Sequence, residues 1–534
     1  MNKTPDIKLT SLLILLVLVM CFACENETKS KTVKRKKYKN QKLSDSLRAL
    51  QSYNCINNFI INSTNPKDVR VAIDLLHEFF KTRAVVSTFR GNESRNYYGN
   101  LAPNMLKVKW KLQLGSGKSN VGSLEHYWTG AGWTGQPLIV TDTFKTYIFQ
   151  GAFDYHLRKI DAADGSVVWK YKFDDILKGT PSIWTNPDTT TTRELTYLIM
   201  QGSRRGEGTF DDNGSASFRA ISYENGKEVW RFYSKNTNSY STDVDASALV
   251  HNGFAYIGLE NSIFAQFNPS PAHVKEYKGY YIPDIVKDTL LYLQSDINRQ
   301  GGNLVIEASP VLLGNRIYIA SGAGHIFGYN LETEMVDWDF FTGSDIDGTP
   351  VATFDSCLIV TIEKQYISGH GGTFKLNPSK SPDDCVVWYS PTGNRKFASW
   401  EGGIIGTAAV NDKYVESDDV HLCAFTGIDG YLYVVNHTLL SENRTSGPHM
   451  NKSYAMPTII FKEFIGSSIS SPIIVGNKLI AASYKGLYLF EFNDEFQFKL
   501  LDFYKDSFEA SPACYDGRVY IASNTSGFMY CFGE

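Results

Sequence analysis

The feature that most constrains this chain is an internal repeat. The segment that starts at Glu307, EASPVLLGNRIYIASGAGHIFGYNLETEMVDW, returns 202 residues later from Glu509 as EASPACYDGRVYIASNTSGFMYCFGE. Both copies carry Glu-Ala-Ser-Pro, an Arg ahead of an apolar-Tyr-Ile run, then Ala-Ser and a short turn. Self-similarity of this kind marks an architecture built from one supersecondary unit. The unit reads as small residues, a β run, a Gly or Asn turn, a second β run and a third that ends in Trp. Four antiparallel strands of this sort cannot bury both faces alone and must stack on neighbours.

Each unit opens with a small residue, then Thr or Ser (once Gln), then Pro or Ala. The starts are Gly135-Gln136-Pro137, Gly179-Thr180-Pro181, Ala246-Ser247-Ala248, Ala308-Ser309-Pro310, Gly348-Thr349-Pro350, Gly406-Thr407-Ala408, Ser470-Ser471-Pro472 and Ala510-Ser511-Pro512. These eight starts are spaced by 40 to 67 residues, which suits propeller blades with variable loops. Innermost strands crowd the central axis, so small residues belong there.

An apolar pair ending in an aromatic residue marks the outer half of a blade. It is clear at Val167-Val168-Trp169, Glu228-Val229-Trp230, Val336-Asp337-Trp338 and Val386-Val387-Trp388, and weaker at Leu290-Leu291-Tyr292, Ile459-Ile460-Phe461 and Leu500-Leu501 before Phe503. The eighth blade stops one strand early. Leu106, Val108, Trp110, Leu112 and Leu114 alternate with Lys107, Lys109, Lys111 and Gln113, a period of two. This N-terminal strand is expected to complete the last blade and close the ring, leaving no sheet edge. The fold class is therefore all-β, an eight-bladed β-propeller over 101–534.

The blades resemble the pyrroloquinoline-quinone-like (PQQ-like) propeller repeat, often written Ala-x-Asp-x-x-x-Gly-x-x-x-Trp. The local matches are Lys159-Ile160-Asp161-Ala162-Ala163-Asp164-Gly165-Ser166-Val167-Val168-Trp169 and Ala220-Ile221-Ser222-Tyr223-Glu224-Asn225-Gly226-Lys227-Glu228-Val229-Trp230. Phe89-Arg90-Gly91-Asn92, with Arg95 and Gly99, looks like the segment that precedes the first blade in that family. The resemblance covers about residues 87–534. It specifies fold and leaves function open, since one fold hosts many functions. Quinone dehydrogenases of the family carry an adjacent Cys-Cys pair, and sometimes Cys-x-x-Cys-His; neither string occurs here. PQQ and Ca²⁺ are therefore considered and not favoured, and no cofactor is expected.

The N-terminus reads as targeting. Lys3 and Lys8 precede an apolar run from Leu9 to Phe22, followed by Ala23-Cys24. The run is short for a membrane span and ends in a small residue, as a signal peptide does. Cys24 resembles a bacterial lipoprotein signal cysteine, so 1–24 is expected to be the leader and Cys24 the lipidated residue. Plain secretion after Ala23 and an uncleaved anchor are the competing readings. Residues 25–41 are a polar tether. Residues 42–100 are a helical preface and lead-in: Asn65-Pro66 offers a cap with Pro at the first helical position, and Val69, Ala72, Leu75, Leu76, Phe79 and Phe80 share one helical face. A net charge of −3, with no basic block inside the propeller, argues against nucleic acid as a partner.

Chemistry concentrates just ahead of the inner strands of blades 3, 4 and 5. Blade 3 reads Asp243-Val244-Asp245-Ala246-Ser247 and blade 5 reads Asp345-Ile346-Asp347-Gly348-Thr349. Glu307 and Glu509 hold the corresponding positions of blades 4 and 8. Equivalent positions should bring these carboxylates to one mouth of the central channel. There they can accept Ca²⁺ or a basic or hydroxyl-rich ligand, or bond backbone N–H groups as structural glue. Trp128, Trp133, Trp184 and Trp400 near blade starts are candidate sugar-stacking residues, with His126, His156 and His370 as candidate bases. Cys357 with Cys385, and Cys514 with Cys531, each fall within one blade; disulfides and buried thiols are both open. Insertions at Ser203–Ser217, Pro269–Asp288 and Leu440–Pro457 are candidate binding loops.

By repeat type and lipid anchor the chain is similar to the propeller lipoproteins of the outer-membrane β-barrel assembly machine. That similarity implies a non-catalytic scaffold for envelope or outer-membrane proteins, held to the bacterial cell envelope by its lipid. A quinone- or Ca-dependent oxidoreductase and a glycan-binding or glycan-processing lipoprotein are the alternatives.

Overall fold

The structure is a computed structural model that describes residues 83–121, 124–142, 145–205 and 215–534. The leader, the tether and the helices of the preface fall in 1–82, outside the described residues, as does 206–214 of the blade 2 insertion. The chain divides into two compact units. The larger holds 84–140 and 147–534; the smaller is described only at residue 83 and within 141–146.

Seven four-stranded antiparallel sheets and, in blade 1, a five-stranded sheet form the propeller ring. Their innermost strands begin directly after the eight small-residue triplets, at Leu138, Ser182, Leu249, Val311, Val351, Ala409, Ile473 and Ala513. The second residue of the triplet does more than save space. Its hydroxyl accepts from the backbone N–H of the blade before it: Ser247 N to Ser309 Oγ at 2.9 Å, Ser309 N to Thr349 Oγ1 at 2.9 Å, Thr349 N to Thr407 Oγ1 at 2.9 Å and Thr407 N to Ser471 Oγ at 2.9 Å. Ser471 N to Ser511 Oγ, at 3.2 Å, continues the belt. A buried N–H without such a partner would be unfavourable, so Ser or Thr recurs where Ala would fit equally well by volume.

The outer strands are tied in the same blade-to-blade manner. Trp169 Nε1 donates to Tyr223 O at 3.0 Å, Trp230 Nε1 to Pro269 O at 2.9 Å, Trp338 Nε1 to Lys380 O at 3.1 Å and Trp388 Nε1 to His437 O at 2.9 Å, each carbonyl belonging to the next blade. The glycine of the repeat follows from this contact. Gly226 has φ +72°, and a Cβ there would meet the Trp169 ring at 2.8 Å. The turn therefore needs a residue that adopts left-handed φ and presents no side chain to the indole.

The ring closes with the N-terminal strand. Lys107–Gln113 pairs antiparallel with Phe528–Gly533 and becomes the outer strand of blade 8. One register shift lies between Val108 and Trp110. Trp110 Nε1 then donates to Ala162 O of blade 1 at 3.0 Å, repeating the outer-strand tie at the seam.

Three features differ from the sequence reading. Leu290-Leu291-Tyr292 lies at the end, not the start, of the blade 3 outer strand, Asp284–Leu290. The reason is the insertion, which folds into a hairpin, Lys275–Tyr277 with Tyr280–Ile282, and feeds the strand from its far end. The blade 6 insertion is a continuation of strands Tyr431–Thr445 and Tyr454–Phe464. A further hairpin, Ser116–Val121 with Leu124–Thr129, follows the closing strand. Of the two readings left open for the cysteines, the structure has the buried thiols: Cys357, Cys385, Cys423, Cys514 and Cys531 are free, so neither pair is bridged.

The lead-in to the first blade is a plug. Arg90 donates to Ala408 O at 2.8 Å and Pro472 O at 2.7 Å; Arg95 donates to Pro310 O at 2.8 Å. Asn96 Nδ2 donates to Ala352 O, Tyr98 OH accepts from Val410 N, and Tyr98 O accepts from Cys514 N. With Thr88 on Ser247, Ser87 O on Ile183 N and Arg90 N on Gln136 Oε1, residues 87–98 touch the triplet or the inner strand of every blade. These contacts fall within and past the small-residue triplets. The carboxylates of blades 3, 4, 5 and 8 precede the triplets, so the channel is blind, with its acidic mouth opposite the plug. No helix among the described residues is long and apolar enough to cross a membrane.

Candidate functional site at the channel mouth

The residue just ahead of each triplet sits at the mouth. Around the ring these are Thr134, Lys178, Asp245, Glu307, Asp347, Ile405, Ile469 and Glu509. One arc of the mouth is charged. The other is apolar, with Ile405, Ile428 and Ile469 packed against Trp133, Phe397, Trp400 and Tyr484.

The charged arc is buried and mostly acidic. Lys178 Nζ lies 2.5 Å from Asp245 Oδ2, a charge contact without hydrogen-bond alignment, and neither Asp245 oxygen has a hydrogen-bond donor. Arg204 Nε pairs with Asp243 Oδ2 at 2.7 Å while Arg205 N donates to Asp243 Oδ1 at 3.0 Å. Asn303 Nδ2 donates to Asp345 Oδ2 at 2.8 Å, and Asp345 Oδ1 is unpartnered. Tyr484 OH donates to Glu509 Oε1 at 3.0 Å. Two residues absent from the sequence-level set complete the arc. Glu260 and Glu363 each follow a second strand, which returns the chain to the mouth. Glu260 is 3% exposed and its Oε1 has no partner.

Burial and crowding of like charges raise these carboxyls. Desolvation is the largest cause throughout; it lifts Asp245 to about 7 against the pull of Lys178, Asp345 to about 6, and Glu363 to about 8. Glu260, Glu307, Asp347 and Glu509 are raised as well, again first by burial. Burial opposes the Lys178 charge, but Asp245, Glu260 and Glu307 outweigh it and hold the ammonium protonated.

Two carboxylate triads have donor atoms within 4.8 Å of one another: Asp245, Glu260 and Glu307, and Asp345, Asp347 and Glu363. The first already has the Lys178 ammonium beside it. The second has no Lys or Arg ion-pair partner among the described residues, and its all-oxygen donors suit a hard cation such as Ca²⁺. A third set, Asp412, His421 and His437, is closed on itself. Both imidazoles reach Asp412 Oδ1, at 2.8 and 2.9 Å, and Lys375 Nζ lies 3.2 Å from the remaining nitrogen of His437.

Above the floor, a cavity of about 1750 Å³ opens. Its walls include Trp128, Trp133, Trp400 and Tyr240, with Asp243, Glu260 and Glu307 below. Trp133 and Trp400 approach with ring centroids 6.2 Å apart and planes at 45°. Trp133 has φ +53° and Thr134 φ +59°. Two successive left-handed non-glycine residues store strain, and such strain collects at functional sites. The strained loop carries the indole from blade 1 to Glu307 of blade 4, where Nε1 donates to Oε2 at 2.9 Å. The insertions converge on this space: the hairpin at 116–129 lends Lys118 and Ser119, blade 2 lends Arg204 and Arg205, and blade 3 lends Tyr280.

The other aromatic and histidine candidates do not join it. Trp184 is packed in the core of blades 2 and 3. His126 is exposed on the hairpin, His156 bonds Asp154, and His370 bonds Thr392 O.

No family model matches the chain. No curated protein matches it. Solved structures do. A europium-containing methanol dehydrogenase is similar with TM-score 0.53 at 11% identity, over 84% of this chain and 98% of that one. BamB from Moraxella catarrhalis gives TM-score 0.46 at 12% identity, over 73% of this chain and 94% of that one. The computationally designed Ika8 protein gives 0.46 at 9%, over 79% and 99%. The fold is thus that of the quinoprotein-type propeller. No cysteine is among the lining residues of the cavity.

Proposed function

We propose that this propeller is a binding protein whose ligand seat is the cavity at the blind channel mouth. The observation that carries the reading is the strained Trp133–Thr134 loop, which holds an indole over buried carboxylates where two insertions and a hairpin converge. Concave sites with aromatic walls and a few convergent polar groups are where small ligands bind. Insertions that merely drifted would have no reason to meet at one place.

A thermal-shift screen of sugars, amines and alcohols against the full chain tests this, repeated on Trp400→Ala. Ligands of the seat should stabilise the parent and lose at least tenfold in affinity on the variant. Hits that bind Trp400→Ala as well as the parent would put binding elsewhere and overturn the reading.

A second reading keeps the scaffold role, with partner proteins docking outside the channel. It is supported by the blade 6 hairpin, which exposes Leu439, Leu440 and Met450 at 55%, 48% and 66%. In that reading Cys24 carries the lipid and the protein faces envelope partners. Cross-linking in the host, with recovery of barrel or transport proteins through residues 440–457, would support it. Recovery of the propeller alone would remove it, and Cys24→Ser that leaves membrane association intact would remove the anchor.

A further inference from the structure

We infer that the channel-mouth seat takes an uncharged oligosaccharide, a ligand of several sugar rings rather than a single small ion. The inference rests on the ligand-binding reading above and names its ligand class.

Size comes first. The cavity holds about 1750 Å³, where clefts for one small molecule span roughly 300–1,000 Å³. A metal ion, an amine or a single sugar ring would leave most of it to water. The occupant that fits is an extended one.

Charge then limits its chemistry. Seven Lys or Arg and six Asp or Glu line the walls, so the two signs nearly cancel. Several are already paired: Lys118 with Glu125 at 2.8 Å, Arg204 with Asp243 at 2.7 Å, Lys178 with Asp245, and Asp174 with Arg219. A charged ligand would have to break into these pairs and finds little net potential to draw it in. An uncharged ligand faces neither obstacle.

The pairing leaves hydrogen-bonding capacity unspent. Arg204 uses Nε on Asp243 and Nη1 on Ser119 Oγ, and its Nη2 has no partner among the described residues. Arg231 uses Nε and Nη2 on Glu228, at 2.7 and 2.8 Å, and its Nη1 is likewise without a partner among them. Both arginines line the cavity. Each is charge-paired and still offers N–H donors beside a carboxylate acceptor. A sugar hydroxyl donates and accepts at once, so it can use both.

Flat rings supply the other half of sugar recognition. Tyr280 of the blade 3 hairpin lies on Arg231 of blade 2, with the guanidinium carbon 3.7 Å from the ring centroid, and stays 43% exposed. Glu228 clamps that guanidinium, so the ring is a braced platform. Tyr240, on the loop from blade 2 to blade 3, lines the same cavity and is 66% exposed. A second station comes from other blades: Trp400, between blades 5 and 6, is backed by Phe397 at 6.4 Å and 15° and by Trp133. Pyranose rings present C–H faces that pack on aromatic faces and bury apolar area without net charge. Stations carried by different blades call for more than one sugar ring.

The test applies the full chain to a glycan array carrying uncharged, uronic-acid and sulfated oligosaccharides, with hits measured by calorimetry. Uncharged forms should bind with little dependence on salt, and a hexasaccharide should bind about tenfold or more tightly than its own disaccharide. Trp400→Ala should weaken the hit about tenfold, and Tyr240→Ala and Tyr280→Ala, at exposed rings, about fivefold each with the thermal midpoint unchanged. A disaccharide that binds as tightly as the hexasaccharide would overturn the extended ligand. Tighter binding of uronic-acid or sulfated forms, lost as salt rises, would overturn the inference in favour of an anion. No glycan bound, while amines or alcohols bind the parent and not Trp400→Ala, would overturn the saccharide and leave the cavity reading standing. No ligand of any class would count against both. Glycan binding unchanged in all three variants would place it outside the cavity and overturn both.

Discussion

The indole N–H of Trp133, ahead of blade 1, donates to Glu307 Oε2 of blade 4 at 2.9 Å, a bond thrown across the channel mouth. The bond favours the ionised carboxylate. Trp133→Phe keeps a ring and removes the donor, so the Glu307 carboxyl should titrate higher in the variant. Carbon-detected NMR of the Glu side chains checks this; an unmoved Glu307 would show the bond is not formed in solution.

Stability should fall as pH rises. The mouth carboxyls titrate well above their unfolded values of 3.8 and 4.5, with Asp345 at about 6, Asp245 at about 7 and Glu363 at about 8. Between about pH 4 and about pH 8 the native state therefore holds more protons than the unfolded chain. Linkage then gives stability that is fully present at the acid end and lost through the folded-state values. The thermal midpoint should drop by several degrees from pH 5 to pH 8.5, and Glu363→Gln should flatten the slope. A midpoint that rises over this range contradicts the burial of these groups.

Arg95 is the keystone of the plug. It donates to Pro310 O, Thr88 Oγ1, Phe89 O and Ser247 O, and burial lowers its guanidinium to about 9, still charged at neutral pH. Arg95→Ala strands several buried carbonyls, each worth about 1–3 kcal/mol, so a loss of about 3 kcal/mol or more is expected in urea unfolding. Arg95→Lys should recover only part, because an ammonium cannot span the same acceptors.

Trp110 secures the seam between blades 8 and 1. Trp110→Ala should lower stability by about 3–5 kcal/mol, as for other buried aromatics. Trp110→Phe removes chiefly the Nε1 bond and should lose only about 1 kcal/mol. Equal losses would mean that the ring's volume plays no part.

The five described cysteines should resist labelling. Burial pushes Cys357 and Cys531 to about 11 and Cys385 to about 12, so little thiolate exists at pH 8. Iodoacetamide should modify them only after unfolding, by peptide mass mapping.

The ring was legible because the crowded axis and the hydroxyl belt force the same triplet at every blade. The closing strand was legible from the alternation of 106–114. The mouth was legible only in part. Asp245, Glu307, Asp347 and Glu509 stand out as acids ahead of triplets, yet Lys178 holds the same position in Lys178-Gly179-Thr180 and escapes a search for one sign of charge. Glu260 and Glu363 follow second strands, where no local pattern sets them apart. Trp133 could be named from its place near a blade start, but its reach to Glu307 depends on two left-handed residues that no side-chain pattern encodes. The plug arginines act over separations of more than 200 residues, a distance at which sequence carries no spacing signal.

The strand 107–113 and the plug at 87–98 are made early during synthesis, yet their partners include Phe528–Gly533, Pro472 and Cys514. Of these partners, Cys514 and Phe528–Gly533 follow the plug and the closing strand by more than four hundred residues. The ring cannot close on a growing chain. Closure waits until Phe528–Gly533 is made, and until then Lys107–Gln113 lacks its strand partner.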